Sequence, residues 1–430
     1  MLMDKMYTGR NMFMRAHFSG HPVNCSTTQK EMGSVGAGCG LIGGVFSVSF
    51  LFITCLYGSI FIYGPVLPLM VIWPWLYRRV VEVLSSMWQT QIVTCFELLQ
   101  GMKVVVTGDA IQRHEKTMVL MNHRTRLDWL YFFPYVFHAR ILNRQKIALK
   151  SMLKWIPGLG WAMQVAGYIF LDRQWEADQV HISNILSYFV ELESKPNILF
   201  FAEGTDFNEG SKKRSKEYAR KSGLTEFEYV LQPRTTGFTY FVNHLRNISG
   251  IHAVHDVTIA YPYEILHNEL ELIKAGAPRA VHFHIKRYSI SELPEDQDEL
   301  GKWCQNLWAE KEALLKEYYS EPNPDLRRFK CEKKPPQDPR TFLLILGFCA
   351  WSAITVFCTY LVVVSSFARY YALMMILFYL SSGYLLGGVE KLEMILFEQF
   401  KKPRPLWGRR NSGRGEIGGG DAYYTRLNRS

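Results

Sequence analysis

The chain has little usable cysteine. Eight Cys are spread over 430 residues without a Cys-x-x-Cys pair, and Cys55, Cys349 and Cys358 lie inside apolar stretches. That spacing argues against a disulfide framework or a zinc site. An acidic surplus is also missing: 49 Lys and Arg face 39 Asp and Glu, a net charge of +10. The balance suits anionic partners, whether phospholipid headgroups, CoA phosphates or nucleic acid. No nucleic-acid motif occurs, and Lys212-Lys213-Arg214 is too short a basic cluster to stand for one. No nucleic-acid partner is therefore expected. Residues 1–40 lack the order of a signal peptide, are rich in Met and Gly, and are expected to be poorly ordered. Internal repeats are absent.

Charge is missing altogether from Leu41 to Leu76. A membrane crossing takes about 20 apolar residues. The run predicts either a tilted transmembrane helix with an interfacial piece, or a hairpin that breaks near Gly64-Pro65 and Pro68. Phe342–Val364 and Tyr370–Val389 are two further candidates, divided by Arg369. Basic residues flank these runs at Arg78 and Arg79, from Arg327 to Arg340, and from Lys401 to Arg410. The positive-inside bias then places the domain between the spans, and the tail, in the cytosol. A first segment that crosses fully would leave 1–40 in the lumen, with Asn24-Cys25-Ser26 as a glycosylation acceptor. The expected layout is a poorly ordered segment at 1–40, a membrane segment at 41–76, a folded domain at 77–330, two transmembrane helices at 342–389, and a basic, disordered tail at 390–430.

Within the folded domain, strand-like runs alternate with helical ones. Lys103–Thr107, Met118–Met121, Gly167–Leu171, Ile198–Phe201, Val254–Tyr261 and Val281–Ile285 read as strands, and 174–192 and 297–319 as helices. This alternation predicts an α/β layered fold.

The most telling stretch is Thr117 to Asp128. An apolar strand is followed by Asn122-His123, and Asp128 comes five positions after the histidine. In an unbroken helix that step turns about 140°, so the two side chains would diverge. They meet only if His123 sits on a turn and Asp128 inside the next helix. A His–carboxylate pair can take a proton from a hydroxyl near neutral pH. The same spacing also arises by chance in capped surface turns, but none of the other eleven of the 12 histidines has an Asp there.

Three downstream segments complete a pattern. Asn122-His123 with Asp128, Gly167-Tyr168-Ile169-Phe170-Leu171-Asp172-Arg173, Phe201-Ala202-Glu203-Gly204-Thr205 and Val257-Thr258-Ile259-Ala260-Tyr261-Pro262 follow in order. Together they resemble motifs I to IV of the lysophospholipid and glycerolipid acyltransferases. The texture is nearest the lysocardiolipin acyltransferase branch, as in Pro233-Arg234-Thr235-Thr236-Gly237-Phe238 and Ala253-Val254-His255-Asp256. Ala202 stands where the family usually has Pro, which touches loop rigidity and not the chemistry. The resemblance implies an αβα sandwich with a mixed sheet flanked by N- and C-terminal transmembrane helices. It also implies acyl-CoA as co-substrate, a lysophospholipid acceptor, a bilayer partner and the endoplasmic reticulum membrane.

In the implied reaction the acceptor hydroxyl attacks a thioester, with His123 as base and Asp128 holding its tautomer. Neither a protein nucleophile nor a metal nor another cofactor is needed. Asn122 would orient the loop, donate to substrate or cap the helix. Arg173 suits bidentate phosphate recognition, against a surface ion pair with Asp172 or Glu176. The resemblance assigns Arg173, Glu203 and Gly204 to the acceptor. Thr205 would bond phosphate or stabilise the turn. Lys150 and Trp161, around Pro157-Gly158-Leu159-Gly160, would line the acyl or headgroup access, or Trp161 would anchor at the interface. His282 and His284 share a strand face but have no third ligand, and read as ordinary strand histidines. Lysocardiolipin and related anionic lysolipids are the acceptors the resemblance implies first, with lysophosphatidic acid next; a catalytically silent lipid-binding scaffold and a CoA-independent transacylase are the competing readings.

Overall fold

The computed structural model describes residues 25–336 and 340–400, with side chains from residue 41 onward. The glycosylation acceptor at Asn24 and the basic tail from Lys401 lie outside the described residues. The chain opens with helix α1 (Cys25–Tyr57), so helix begins inside the segment expected to lack order. A π turn at Gly58–Tyr63, a 3-10 turn at Gly64–Val66 and the short α2 (Leu69–Ile72) carry it onward. The helical turns are interrupted at Trp73, whose backbone is non-helical, and α3 (Pro74–Val93) follows. The break therefore falls later than Gly64-Pro65, because helix-like turns continue through both prolines.

The folded domain begins with β1 (Lys103–Gly108) and β2 (Thr117–Met121), then α4 (Asp128–His138), β3 (Gln145–Lys150), α5 (Leu159–Val165) and β4 (Ile169–Leu171). Next come α6 (Trp175–Glu191), β5 (Asn197–Phe200), α7 (Glu209–Lys221), α8 (Thr235–Asn247) and β6 (Ala253–Ala260). The domain closes with α9 (Glu269–Ala275), β7 (Ala280–Ser289) and α10 (Gln297–Ser320). The seven strands form one sheet in the order β1-β7-β6-β2-β5-β3-β4. β7 runs antiparallel to β6, and the other pairs are parallel. The sheet is mixed, as the resemblance implied. β2 and β5 are buried at every position, as apolar central strands covered on both faces must be. One face packs on α3, α4 and α5, and the other on α6, α8 and α10.

β3 was not expected from the sequence. Its Lys146 looks like a surface residue, yet it is 2% exposed, and its ammonium donates to the Ala166 carbonyl at 2.7 Å. The strand expected at Gly167–Leu171 starts two residues later, because Gly167 has φ +73° and belongs to the turn.

The C-terminal part holds α11 (Thr341–Val364), α12 (Ser366–Leu386) and α13 (Val389–Phe400). Leu41–Ile72 and Thr341–Val364 are long and apolar enough to cross a membrane, each with mean hydropathy 2.1. α12 and α13 would make a third span only as a pair bent by 73°. α13 lies within the region expected to be a disordered tail. It instead folds back on the sheet-containing domain. Glu393 accepts from Arg78 Nε at 2.8 Å, and Arg78 Nη1 donates to the Val165 carbonyl at 3.0 Å. Lys154 pairs with Glu390 and donates to the Gly387 carbonyl at 3.0 Å. Arg78 is 2% exposed and cannot serve as a headgroup-facing charge, which corrects its place in the positive-inside argument.

Candidate active site

The strands β6, β2, β5, β3 and β4 run parallel as neighbours, so their carboxyl ends share one edge of the sheet. In open α/β sheets, ligands bind at such an edge. His123, Glu203, Lys150 and Arg173 all lie at or just beyond these ends.

His123 sits on the turn after β2, and Asp128 opens α4, the arrangement the spacing required. His123 Nδ1 lies 3.0 Å from Asp128 Oδ2. The carboxylate is fully buried and heavily held. Its Oδ2 accepts from the Thr125 backbone N–H at 2.9 Å, and its Oδ1 accepts from Thr125 Oγ1 at 3.1 Å and from Tyr261 Oη. With Nδ1–H committed to Asp128, Nε2 is the nitrogen that presents a lone pair to substrate. The imidazole stacks on Phe201, centroids 4.1 Å apart, so its plane is set from both sides.

Glu203 lies under this turn. Its Oε1 accepts from the His123 backbone N–H at 3.2 Å and from Trp308 Nε1 at 3.1 Å. Burial pushes the carboxyl up to about 8, against the opposing pull of Trp308, the His123 and Leu231 backbone amides and Arg124. Gly204 has φ +70°, where a side chain is strained, and a Cβ there would lie 3.2 Å from Arg234 Cδ. Thr205 Oγ1 reaches Asp206 Oδ1 at 3.5 Å, a contact within the turn. Arg173 has a left-handed backbone, φ 64°, held by Asp178, which accepts its N–H at 2.9 Å. Its guanidinium donates to the Gly204 carbonyl, not to Asp172 or Glu176, and so ties the second motif to the third. Lys150 is held below the ordinary ammonium value by partial burial and then by Arg173 and Arg126 nearby.

Two expected residues are occupied elsewhere. Asn122 is fully buried, and its amide both donates to the Ile259 carbonyl at 3.3 Å and accepts from the Ile259 N–H at 2.8 Å. It clamps β2 to β6 and neither caps α4 nor faces substrate. Trp161 is 5% exposed and stacks on Tyr379 of α12 at 4.8 Å, which joins α5 to the C-terminal helices. His282 pairs with Tyr318 at 2.9 Å and His284 with Thr107 at 3.1 Å, each on a protein partner.

Sequence reasoning missed four supports. Thr125 and Tyr261 hold Asp128; Trp308 and Lys311 hold the floor of the site. Lys311 is 1% exposed, pairs with Asp256 and donates to the Val257 carbonyl at 2.6 Å. A lysine on the apolar stripe Leu300, Cys304, Leu307, Trp308, Leu315 was a readable signal.

A cavity of about 1460 Å³ opens over His123. Single-ligand pockets run to about 1,000 Å³, so this one has room for two large co-substrates. One limb is apolar, lined by Leu51 and Phe52 of α1, Trp88 and Ile92 of α3, and Leu153 and Met163. The rim carries Arg126, Lys150, Arg173, Arg214 and Arg234.

Residues 103–261 match the Acyltransferase family, and 272–351 match the Acyltransferase C-terminus family. The chain belongs to the acyltransferase family and is an enzyme that transfers acyl groups. It is 39% identical over 368 residues to lysocardiolipin acyltransferase 1 of Gallus gallus, covering 84% of this chain and 96% of that one. It is 35% identical to lysophosphatidylinositol acyltransferase 10 of Caenorhabditis elegans, covering 84% and 95%. It is also 31% identical to a probable 1-acyl-sn-glycerol-3-phosphate acyltransferase 5 of Arabidopsis thaliana, covering 67% and 75%.

Proposed function

We propose that the protein is an integral-membrane acyl-CoA:lysophospholipid acyltransferase that re-acylates anionic lysophospholipids. Lysocardiolipin leads, with lysophosphatidylinositol and lysophosphatidylglycerol as related acceptors. The observation that carries this reading is the His123–Asp128 pair, set between an apolar limb and a band of cations. His123 Nε2 takes the proton of the acceptor hydroxyl as its oxygen attacks the thioester carbon. The tetrahedral intermediate collapses, the C–S bond breaks, and the imidazolium returns the proton to the CoA thiolate. Asp128 holds the tautomer and stabilises the imidazolium. Arg173 grips the acceptor phosphate. The reading needs no metal or further cofactor.

Placement in the endoplasmic reticulum membrane with the catalytic domain facing the cytosol is part of the proposal. It rests on the basic residues from Arg327 to Arg340 and beyond Lys401. Protease added outside sealed microsomes would then cut near residues 403–415; protection until detergent is added would overturn the orientation.

Lysophosphatidic acid is the second acceptor reading, favoured by the 1-acyl-sn-glycerol-3-phosphate acyltransferases among the relatives. The deciding experiment incubates purified protein in detergent with labelled acyl-CoA and a panel of lysolipids. Product identity fixes the acceptor. Labelled product from phospholipid donors without CoA would make it a transacylase.

A further inference from the structure

The cavity does not end at His123. The apolar core on one face of the sheet includes α3, α4 and α5, and the core on the other includes α6, α8 and α10. The cavity wall draws on both: Trp88, Ile92 and Leu130 belong to the first side, and Ile182, Phe200 and Phe241 to the second. It therefore passes over the carboxyl edge of the sheet and continues as a second limb beneath α7. This limb is polar. α7 turns Ser211, Arg214, Ser215 and Tyr218 toward it, positions three, four and seven apart that share one helix face.

The cations of α7 are treated unequally. Lys212 and Lys216 bind Glu228 and Arg220 binds Glu226, while Lys213 and Lys221 have no ion pair among the described residues. Arg214, on the cavity face, has no ion pair or side-chain hydrogen bond among the described residues; neither has Arg234 across the limb. The limb is braced. Ser215 Oγ accepts from the Gln232 N–H at 2.8 Å, and the Arg234 N–H donates to the Ala202 carbonyl at 2.7 Å. Two guanidiniums without counter-charge, on a fixed frame beside an exposed tyrosine ring, suit phosphates joined to a flat ring.

We propose that this second limb, formed by Arg214, Ser215 and Tyr218 of α7 with Arg234, holds the phosphorylated adenosine end of the acyl donor. The proposal rests on the acyl-CoA reading above. A thioester carbon at His123 has an alkyl chain on one side and a long polar arm ending in a nucleotide on the other. The apolar limb takes the chain, so the arm leaves along the polar limb. The helix face from Ser211 to Tyr218 is about 10 Å long, enough to span a diphosphate and a base. Arg173 and Lys150 remain for the acceptor phosphate.

The test compares wild type with Arg214→Ala, Arg214→Lys and Tyr218→Ala in detergent. The Ala variants are expected to raise the KM for acyl-CoA about tenfold, the scale of one charge-assisted phosphate contact. Arg214→Lys recovers part of the loss, and the KM for the lysolipid moves less than about twofold. Acyl-pantetheine, which lacks the nucleotide, is used equally by wild type and variants. Calorimetry with adenosine 3',5'-bisphosphate gives a readout independent of turnover: wild type binds it, and Arg214→Ala binds it more weakly. Binding without any acyl transfer to lysolipids would keep the nucleotide limb and sink the proposed acyl-CoA:lysophospholipid reaction. A rise in the lysolipid KM alone would assign the limb to the headgroup and overturn the proposal. No change in either KM, with no bisphosphate binding, would overturn it as well.

Discussion

Tyr261, the residue that follows β6, donates its hydroxyl to Asp128, the residue that opens α4. The last motif thus completes the dyad of the first. Tyr261→Phe is expected to lower kcat about tenfold or more, since a hydrogen bond to a charged group is worth roughly 1.5–3 kcal/mol. Both KM values stay near wild type. A variant with unchanged kcat would leave Tyr261 a packing residue only.

His123→Ala is expected to cost about 10²–10⁴-fold in turnover while the protein stays folded. Asp128→Asn should damage turnover far more than acyl-CoA binding, because the fixed tautomer is lost. Steady-state kinetics beside thermal unfolding separate these outcomes. Normal turnover in either variant removes that residue from the mechanism.

Arg173→Lys is expected to raise the KM for the lysolipid and leave that for acyl-CoA nearly unchanged. An ammonium cannot reproduce the planar fork that also reaches the Gly204 carbonyl. Separate determination of the two KM values decides it; a rise in the acyl-CoA value alone would move Arg173 to the donor side.

Glu203 ties the site to pH. Its folded value of about 8 lies above the ordinary 4.5, so the folded protein keeps a proton that the unfolded chain releases. Its contribution to stability is full below the lower value and is lost as pH rises through the higher one. Between them, stability should fall by about 1.4 kcal/mol per pH unit from this group. Denaturant midpoints measured across that window should show the slope in wild type and a flatter one in Glu203→Gln. Equal slopes would mean that the carboxyl is ionised in the fold.

Arg78→Met or Glu393→Leu alone should destabilise by about 3–5 kcal/mol, because each leaves a buried charge unpaired. The double variant should recover most of that loss. A thermal melt of the three proteins checks this; a double variant no better than either single one would show that the pair contributes more than mutual compensation.

The central strands and the His123–Asp128 turn were legible because both are local patterns: an apolar run, then a fixed spacing. β3 was hidden because Lys146 carries a surface residue's chemistry and satisfies it by a contact 20 positions away, at Ala166. Tyr261, Trp308 and Lys311 act across the sheet, and no local spacing encodes their targets. Asn122 and Trp161 were noticed for the right neighbourhood but spend their polar or aromatic surface on Ile259 and Tyr379. α13 carries Glu390, Glu393 and Glu398 beside a basic run, and only the partners at Arg78 and Lys154 reveal why it docks.

Arg78 and Glu393 are 315 positions apart in the chain. A ribosome adding about 5–20 residues each second needs roughly 15–60 s to travel from one to the other. Throughout that interval the emerging catalytic domain holds an arginine whose seat is built for a carboxylate not yet made. The seat of Arg78 is thus completed only when α13, the last described helix, has been made.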